Sequence, residues 1–282
     1  MKLNILGSSG GEAFPALFCG CDHCVEARKL GGKNIRTLSQ SLINDDLLID
    51  LPADTHMHFA MNNMNLGDIE NLLITHTHAD HYCPNLFELR GGVFAHNLKY
   101  KKMHVYGNAD VKTKFEGYYE VFPIAQEIRD NIEIHELEPL KKVHIGKYDV
   151  TPLYAHHAMG QQVSLNYIIE DGKSSLLYLI DSGLPYPETF ERIAAVKKPY
   201  DCVVMDGTMG YVEPEVGYEG HMCFKENIAL KEKLLSCGAA DAHTKFIVTH
   251  ITHNHATSHE EAVKYFKPHG IEVAYDGYKT EF

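Results

Sequence analysis

The stretch Thr75-His76-Thr77-His78-Ala79-Asp80-His81 constrains this chain more than any other, because four metal-ligating side chains follow directly on the apolar run at residues 71–74. Alternation along extended backbone sends His76 and His78 to the same side. A tight turn after them can bring Asp80 and His81 to a neighbouring position, which supplies ligands for two adjacent cations. Imidazole nitrogen combined with carboxylate oxygen suits zinc, manganese or iron, whereas calcium or magnesium alone prefers oxygen ligands. Two cations need more ligands than one motif carries, so further His and Asp are expected where later apolar runs stop. Residues 150–153 lead into Ala155-His156-His157, residues 176–180 into Asp181-Ser182-Gly183, and residues 246–249 into His250.

Strand-like runs recur at residues 2–6, 39–43, 47–51, 71–75, 104–106, 132–137, 163–169, 176–180, 202–205, 245–249 and 271–274. Helical spacing of apolar residues recurs at 84–89, 111–121, 187–195, 224–237 and 259–266, each beside turn or capping residues. No Pro/Ser/Gly-rich linker longer than a turn interrupts the series. The expectation is one α/β domain over residues 1–282, with two layers of sheet, helices outside them, and every ligand at a strand end or in the loop after it. An apolar fraction of 44% with 23% charged residues fits a folded chain and argues against disorder. The N-terminal run meets glycines before a signal-peptide core can form, and no run approaches the roughly 18 apolar residues of a membrane helix. A cytoplasmic location with no membrane partner is the resulting expectation.

A second cluster, Cys19-Gly20-Cys21-Asp22-His23-Cys24, falls in what reads as a loop after the first strand and after a flexible turn at residues 7–11. Three thiolates at this spacing want a fourth ligand for a structural zinc ion. His253, three residues after His250, is the candidate, with His23 and His255 as competitors. Of the seven cysteines, Cys83, Cys202, Cys223 and Cys237 show no ligand spacing and read as core or incidental thiols. His56-Met57-His58 repeats the His-x-His spacing but reads as helix, where positions i and i+2 diverge, so it is set aside. The glycine turn lacks the Gly-Lys-Ser/Thr ending of a phosphate-binding loop.

With 26 Lys+Arg against 38 Asp+Glu the formal charge is −12, and no basic block exceeds the pairs at 101–102, 141–142 and 197–198. Such a chain repels a polyphosphate backbone, which argues against a nucleic acid polymer as partner.

The ordered set of His-x-His-x-Asp-His, a later His, an Asp and a last His resembles the metallo-β-lactamase superfamily, which implies a four-layer αββα sandwich. The resemblance puts His76, His78 and His157 on one cation, Asp80, His81 and His250 on the other, and Asp181 between them. Of the adjacent pair, His157 matches the pattern more closely than His156. Two divalent ions could hold a hydroxide between them and stabilise charge on a phosphoryl group. Manganese is favoured by resemblance alone, and zinc or iron would also suit. Combined with the cysteine motif and the terminal His250-Ile251-Thr252-His253, the chain is similar to phosphodiesterases of the PhnP type. These open 5-phosphoribosyl 1,2-cyclic phosphate to ribose 1,5-bisphosphate.

That resemblance also implies catalytic parts for Asp80 and for His221, the latter in Gly220-His221-Met222 as a non-ligand imidazole that protonates a poor alkoxide leaving group. The substrate would be a small phosphorylated sugar or nucleotide diester, and the pattern leaves room for a homodimer. The interval between Asp181 and His250 is too short for an inserted nucleic-acid domain. Two segments depart from the pattern: residues 158–162 are longer than expected, and 206–208 with 209–217 resemble pyrroloquinoline quinone biosynthesis protein B. The alternatives they leave are a diesterase for cyclic nucleotides or other small diesters and a non-catalytic carrier.

Overall fold

The computed structural model describes residues 1–157, 163–214, 219–255 and 258–282. The segment 158–162 and part of 209–217, where the sequence departs from its pattern, lie outside the described residues. Two seven-stranded sheets organise the chain. The first is built from β1 (Lys2–Gly7), β2 (Gln40–Ile43), β3 (Leu47–Ile49), β4 (Asn71–Leu73), β5 (Met103–Gly107), β6 (Ile132–Glu136) and the last strand, which lies beside β1. The second is built from β7 (Val143–Ile145), β8 (Tyr148–Tyr154), β9 (Leu165–Glu170), β10 (Ser175–Leu179), β11 (Cys202–Asp206), β12 (Lys245–Thr249) and β13 (Glu272–Val273). Strand β14 (Tyr278–Glu281) closes the chain on the first sheet.

Side-chain alternation assigns the layers. On β3, Leu47 and Ile49 face the second sheet while Leu48 faces out, and on β11 Cys202 and Val204 face in while Val203 and Met205 face out. The inner positions meet in a core that includes Ile5, Leu73, Tyr167, Tyr178 and Ile247. Outside the first sheet lie α2 (Thr55–Met61), through Phe59, and α3 (Ala109–Val121), through Val111, Phe115 and Tyr119. Outside the second lie α1 (Asp22–Leu30), α5 (Pro187–Ala194), α6 (Phe224–Ser236) and α7 (His259–Phe266), through Ala27, Ile193, Leu230 and Phe266. The architecture is the expected αββα sandwich. Asn108 and Ser258 cap α3 and α7 by accepting from backbone N–H groups.

Strand direction decides where the functional residues gather. Strands β3 to β6 are mutually parallel, as are β10 to β13. Strand β8 is two antiparallel steps from β10 and therefore runs the same way. The C-terminal ends of β4, β8, β10, β11 and β12 thus open on a common edge of the sandwich.

The structure corrects several readings. The segment at 84–89 is a 3-10 helix (Pro84–Arg90), α1, α4 (Gln126–Arg129), β7 and β14 were not expected as elements, and the apolar run at 150–153 belongs to the longer β8. Pro152 hid the full length of β8. It is accommodated because β7 pairs only with residues 148–150, leaving that flank of β8 free of a strand partner. Helix α1 buries only Cys24 and Ala27, too sparse a pattern to register as periodicity, so Cys24 stands in a helix and not in a loop. The turn at residues 7–11, read as flexible, is pinned: Ser8 Oγ donates to Asp276 at 2.7 Å and Ser9 Oγ to the Ile251 carbonyl at 3.0 Å. Among the described residues no helix is long and apolar enough to cross a membrane.

Candidate metal centre

Asp50, Asp181 and His250 follow β3, β10 and β12 by one or two residues and take φ values of 66°, 52° and 61°. The left-handed region costs a non-glycine residue roughly 1–2 kcal/mol. Three such residues at three strand exits place backbone strain where side chains must turn off the sheet. Their side chains converge with those of the Thr75–His81 loop in a buried basin whose more open rim carries Asp80 and His221, at 14% and 17% exposure.

Asp181 is shared by two donor clusters made of the expected ligands and by a third group with Asp206, His221 and His250. In the first, His76 Nε2 lies 2.8 Å from His78 Nδ1, His157 Nε2 lies 3.2 Å from His78 Nδ1, and His76 Nε2 lies 3.2 Å from Asp181 Oδ2. In the second, His81 Nε2 lies 3.1 Å from both Asp80 Oδ2 and Asp181 Oδ2, and 3.4 Å from His250 Nε2. The fold therefore brings together all seven residues expected at the binuclear site. It also separates the adjacent histidines, since His156 turns away, with Nδ1 donating to the Leu184 carbonyl at 3.0 Å.

The outer nitrogens explain why the inner ones converge. His81 Nδ1 donates to Asp50 at 2.7 Å, His157 Nδ1 to the Gly220 carbonyl at 3.3 Å, and His250 Nδ1 faces Thr208 Oγ1 at 2.7 Å and Asp206 Oδ2 at 3.2 Å. Thr75 Oγ1 donates to Asp50 and accepts from His76 Nδ1 at 3.1 Å. With these protons facing outward, the inner nitrogens present lone pairs to one another. Lone pairs that face each other at 3.4 Å beside two carboxylates fit a shared cation and fit little else. Outer partners of this kind fix ring orientation and raise ligand basicity.

Asp50 and Asp206 were not singled out as site residues from sequence, although each ends or follows an apolar strand, the signal that marked the ligands. Both are fully buried. Asp206 accepts from the Thr208 and Met222 backbone N–H groups at 2.9 and 3.1 Å. Burial alone would raise its carboxyl, but hydrogen bonds from His221 and His250 bring it down to about 2. Burial would likewise raise Asp181, which the four imidazole rings around it, His250, His221, His76 and His81, hold well below the usual carboxylate range. Burial pushes His76 down to about 3, so that ring is neutral. Four carboxylates packed into one basin make a field that calls for positive charge.

His221 stands at the edge of this field, with Nδ1 3.1 Å from Asp181 Oδ1 and 3.5 Å from Asp206 Oδ2. Burial would lower its pKa, but its hydrogen bonds to Asp181 and Asp206 raise it to about 10. Gly183 places the loop that bears it, because a Cβ there would collide with the Glu219 carbonyl oxygen. Gly10 packs on the other flank, where a Cβ would lie 2.9 Å from His250 Cε1.

On the second sheet's outer side, Cys19, Cys21, Cys24 and His253 present ligand atoms within 4.8 Å of one another. His253 Nδ1 lies 3.6 Å from Cys21 Sγ, and its Nε2 faces Glu12 at 3.3 Å. The His253 hydrogen bond lowers the Cys21 thiol to about 6, whereas burial pushes Cys24 up to about 11. His23 and His255 are not in the cluster. Cys83, Cys202, Cys223 and Cys237 join no metal-ligating group among the described residues, and His58 is occupied with Gln40 and Thr37 at 2.7 Å each.

No curated protein matches the chain. Among solved structures it is similar to a diphosphatase from the PhnP family, at 21% identity and a TM-score of 0.73 over 100% of this chain and 97% of that one. It is similar to Zn2+-bound PqqB from Methylobacterium extorquens, at 19% and 0.74 over the whole of both chains. The short form of human tRNase Z follows at 14% and 0.68, over 100% of this chain and 99% of that one. These likenesses establish the fold. The model of the beta-lactamase superfamily domain matches residues 47–267, more than three quarters of the chain and every donor of the binuclear cluster. With divalent-metal donors gathered at its strand ends, the chain is a metal-dependent hydrolase and belongs to the beta-lactamase superfamily.

Proposed function

We propose that residues 1–282 act as one catalytic domain that hydrolyses a small cyclic phosphodiester, with 5-phosphoribosyl 1,2-cyclic phosphate as the substrate. The observation that carries this reading is a pair of donor clusters sharing Asp181, with His221 beside them and outside both ligand sets. His76, His78, His157 and Asp181 would hold one divalent ion, and Asp80, His81, His250 and Asp181 the other. Both sheets contribute, which is why the reading takes the whole chain as one unit. When bound, the two ions supply Lewis acidity at the phosphoryl oxygens and a nucleophile active near neutral pH.

The residues of the chain do the rest. Asp50 and Asp206 hold the His81 and His250 rings with their lone pairs inward. Asp181 and Asp206 hold a proton on His221, which donates it to the departing sugar oxygen as the P–O bond breaks. A positioned acid of this kind contributes about 10²–10⁴-fold for a poor leaving group. Asp80, at the rim between His81 and the open side, combines its place as ligand with contact to the reacting phosphoryl group. We further propose one structural zinc ion on Cys19, Cys21, Cys24 and His253, a complete Cys3His set.

The PhnP-family likeness supports the cyclic sugar phosphate, and the same relative's description as a diphosphatase favours a second reading, cleavage of a phosphoanhydride. A diesterase for cyclic nucleotides stands beside it. The PqqB likeness keeps a carrier role in view, although the donor set for two ions is complete here. The deciding experiment compares 5-phosphoribosyl 1,2-cyclic phosphate, a 2′,3′-cyclic nucleotide and a dinucleoside diphosphate at matched manganese or zinc loading. The reading predicts the highest kcat/KM for the cyclic sugar phosphate. A preference for the dinucleoside diphosphate, or no turnover of any of the three, contradicts it.

A further inference from the structure

Away from the basin, the open edge of the first sheet carries another group of ligating side chains. Strands β5 and β6 are parallel neighbours, with His104 beside Glu133 and Tyr106 beside His135. His104 also pairs with Asn71, the first residue of β4, which precedes His76 by five residues, or about 16 Å of extended backbone. The group is therefore distinct from the binuclear cluster. His104 Nδ1 and His135 Nε2 lie 3.0 Å apart, and Glu133 reaches them with Oε2 at 3.7 Å and Oε1 at 3.9 Å. The donor–donor edges of a tetrahedral site with bonds of about 2.0–2.1 Å are about 3.3–3.4 Å, and the three distances bracket that length.

The surroundings hold the donors in place. The Tyr106 ring stacks on His135 with centroids 4.6 Å apart and planes 17° from parallel. Lys102 Nζ lies 3.2 Å from Glu133 Oε2. It is more than half exposed, and a surface pair of that kind is worth no more than about 1 kcal/mol. The lysine can swing into water when a cation takes its place.

We propose that His104, Glu133 and His135 form a further binding site for a divalent transition-metal ion of the zinc class, with water in the fourth position. The ion would clamp β6, the edge strand of the first sheet, to β5. Edge strands expose unpaired backbone groups and are the natural place for such a clamp.

Zinc titration of the full chain, followed by native mass spectrometry and equilibrium dialysis, tests the site in the parent protein and in the variants His135→Gln and Glu133→Gln. The expected result is one bound ion fewer per chain for His135→Gln. For Glu133→Gln that ion should bind at least about tenfold more weakly, with the other ions and the hydrolytic turnover unchanged. Ion counts and dissociation constants identical to the parent in both variants would overturn the proposal. Should His135→Gln misfold by circular dichroism, the Glu133→Gln arm decides, because that side chain lies on the surface. A zinc-dependent rise in Tm that the parent shows and Glu133→Gln lacks gives an independent readout of the same clamp.

Discussion

At the scale of single residues, the site is organised by two carboxylates that the proposed chemistry never touches directly. Asp50 and Asp206 hold imidazoles from behind, and Asp206 also receives two backbone N–H groups that lock its own position. Replacing such an outer partner usually weakens metal affinity about 10–100-fold. Asp206→Asn should therefore lose affinity for one of the two active-site ions by that factor while the fold persists, as read by competition with a chelator of known strength. Retention of parental affinity would mean that Thr208 orients His250 without help from Asp206. His221→Ala should slow esters with poor leaving groups by about 10²–10⁴-fold and slow nitrophenyl esters much less. Equal losses on both would remove the general-acid role.

At the scale of elements, function is written at strand exits, and there the sequence was legible. A ligand that ends an apolar run announces itself, as His76, Asp181 and His250 do. Asp50 and Asp206 occupy the same kind of position, yet a carboxylate that acts through a hydrogen bond leaves no spacing by which to recognise it. Helix α1 was illegible for another reason: it buries only Cys24 and Ala27, so its periodicity carries too little signal. The cysteine cluster ties that helix and the loop before it to the loop after β12. Zinc modules of this size draw about 10–16 kcal/mol from the metal, so zinc bound here should dominate local order. Cys24→Ala, or chelation of zinc, should speed amide exchange across α1 while leaving β10 and β11 protected. Equal protection with and without zinc would show that packing alone holds the helix. Gly183→Ala belongs to this scale as well. It pushes the Glu219–His221 loop off Asp181 and the Gly220 carbonyl off His157, so the expected result is a loss of kcat on poor leaving groups that persists at saturating metal, with weaker binding of the His157 ion below saturation.

At the scale of the whole molecule, the sandwich makes one basin out of two sheets, since the Thr75–His81 loop comes from the first and Asp181, Asp206 and His250 from the second. The inner core sets the distance between them. Tyr167 spans that interface, donating from its hydroxyl to the Ile74 carbonyl at 2.6 Å, one residue before the metal-binding loop begins. The net charge of −12 includes the four basin carboxylates, whose effect on an anionic substrate is reversed once divalent ions bind. Under the proposed function, a small phosphate ester would meet those ions at the basin floor.

The central claim is that Asp181 joins two ions in a single hydrolytic centre. The most direct test is hydrolysis of bis(p-nitrophenyl) phosphate by the parent chain and by Asp181→Ala, with metal content measured on the same samples. Two ions that each lower the barrier by several kcal/mol imply a loss of at least about a hundredfold when their shared ligand is removed. The account predicts that loss, together with fewer bound active-site ions and recovery of the chelated parent, but not of the variant, on adding manganese or zinc. Parental activity in Asp181→Ala would contradict it.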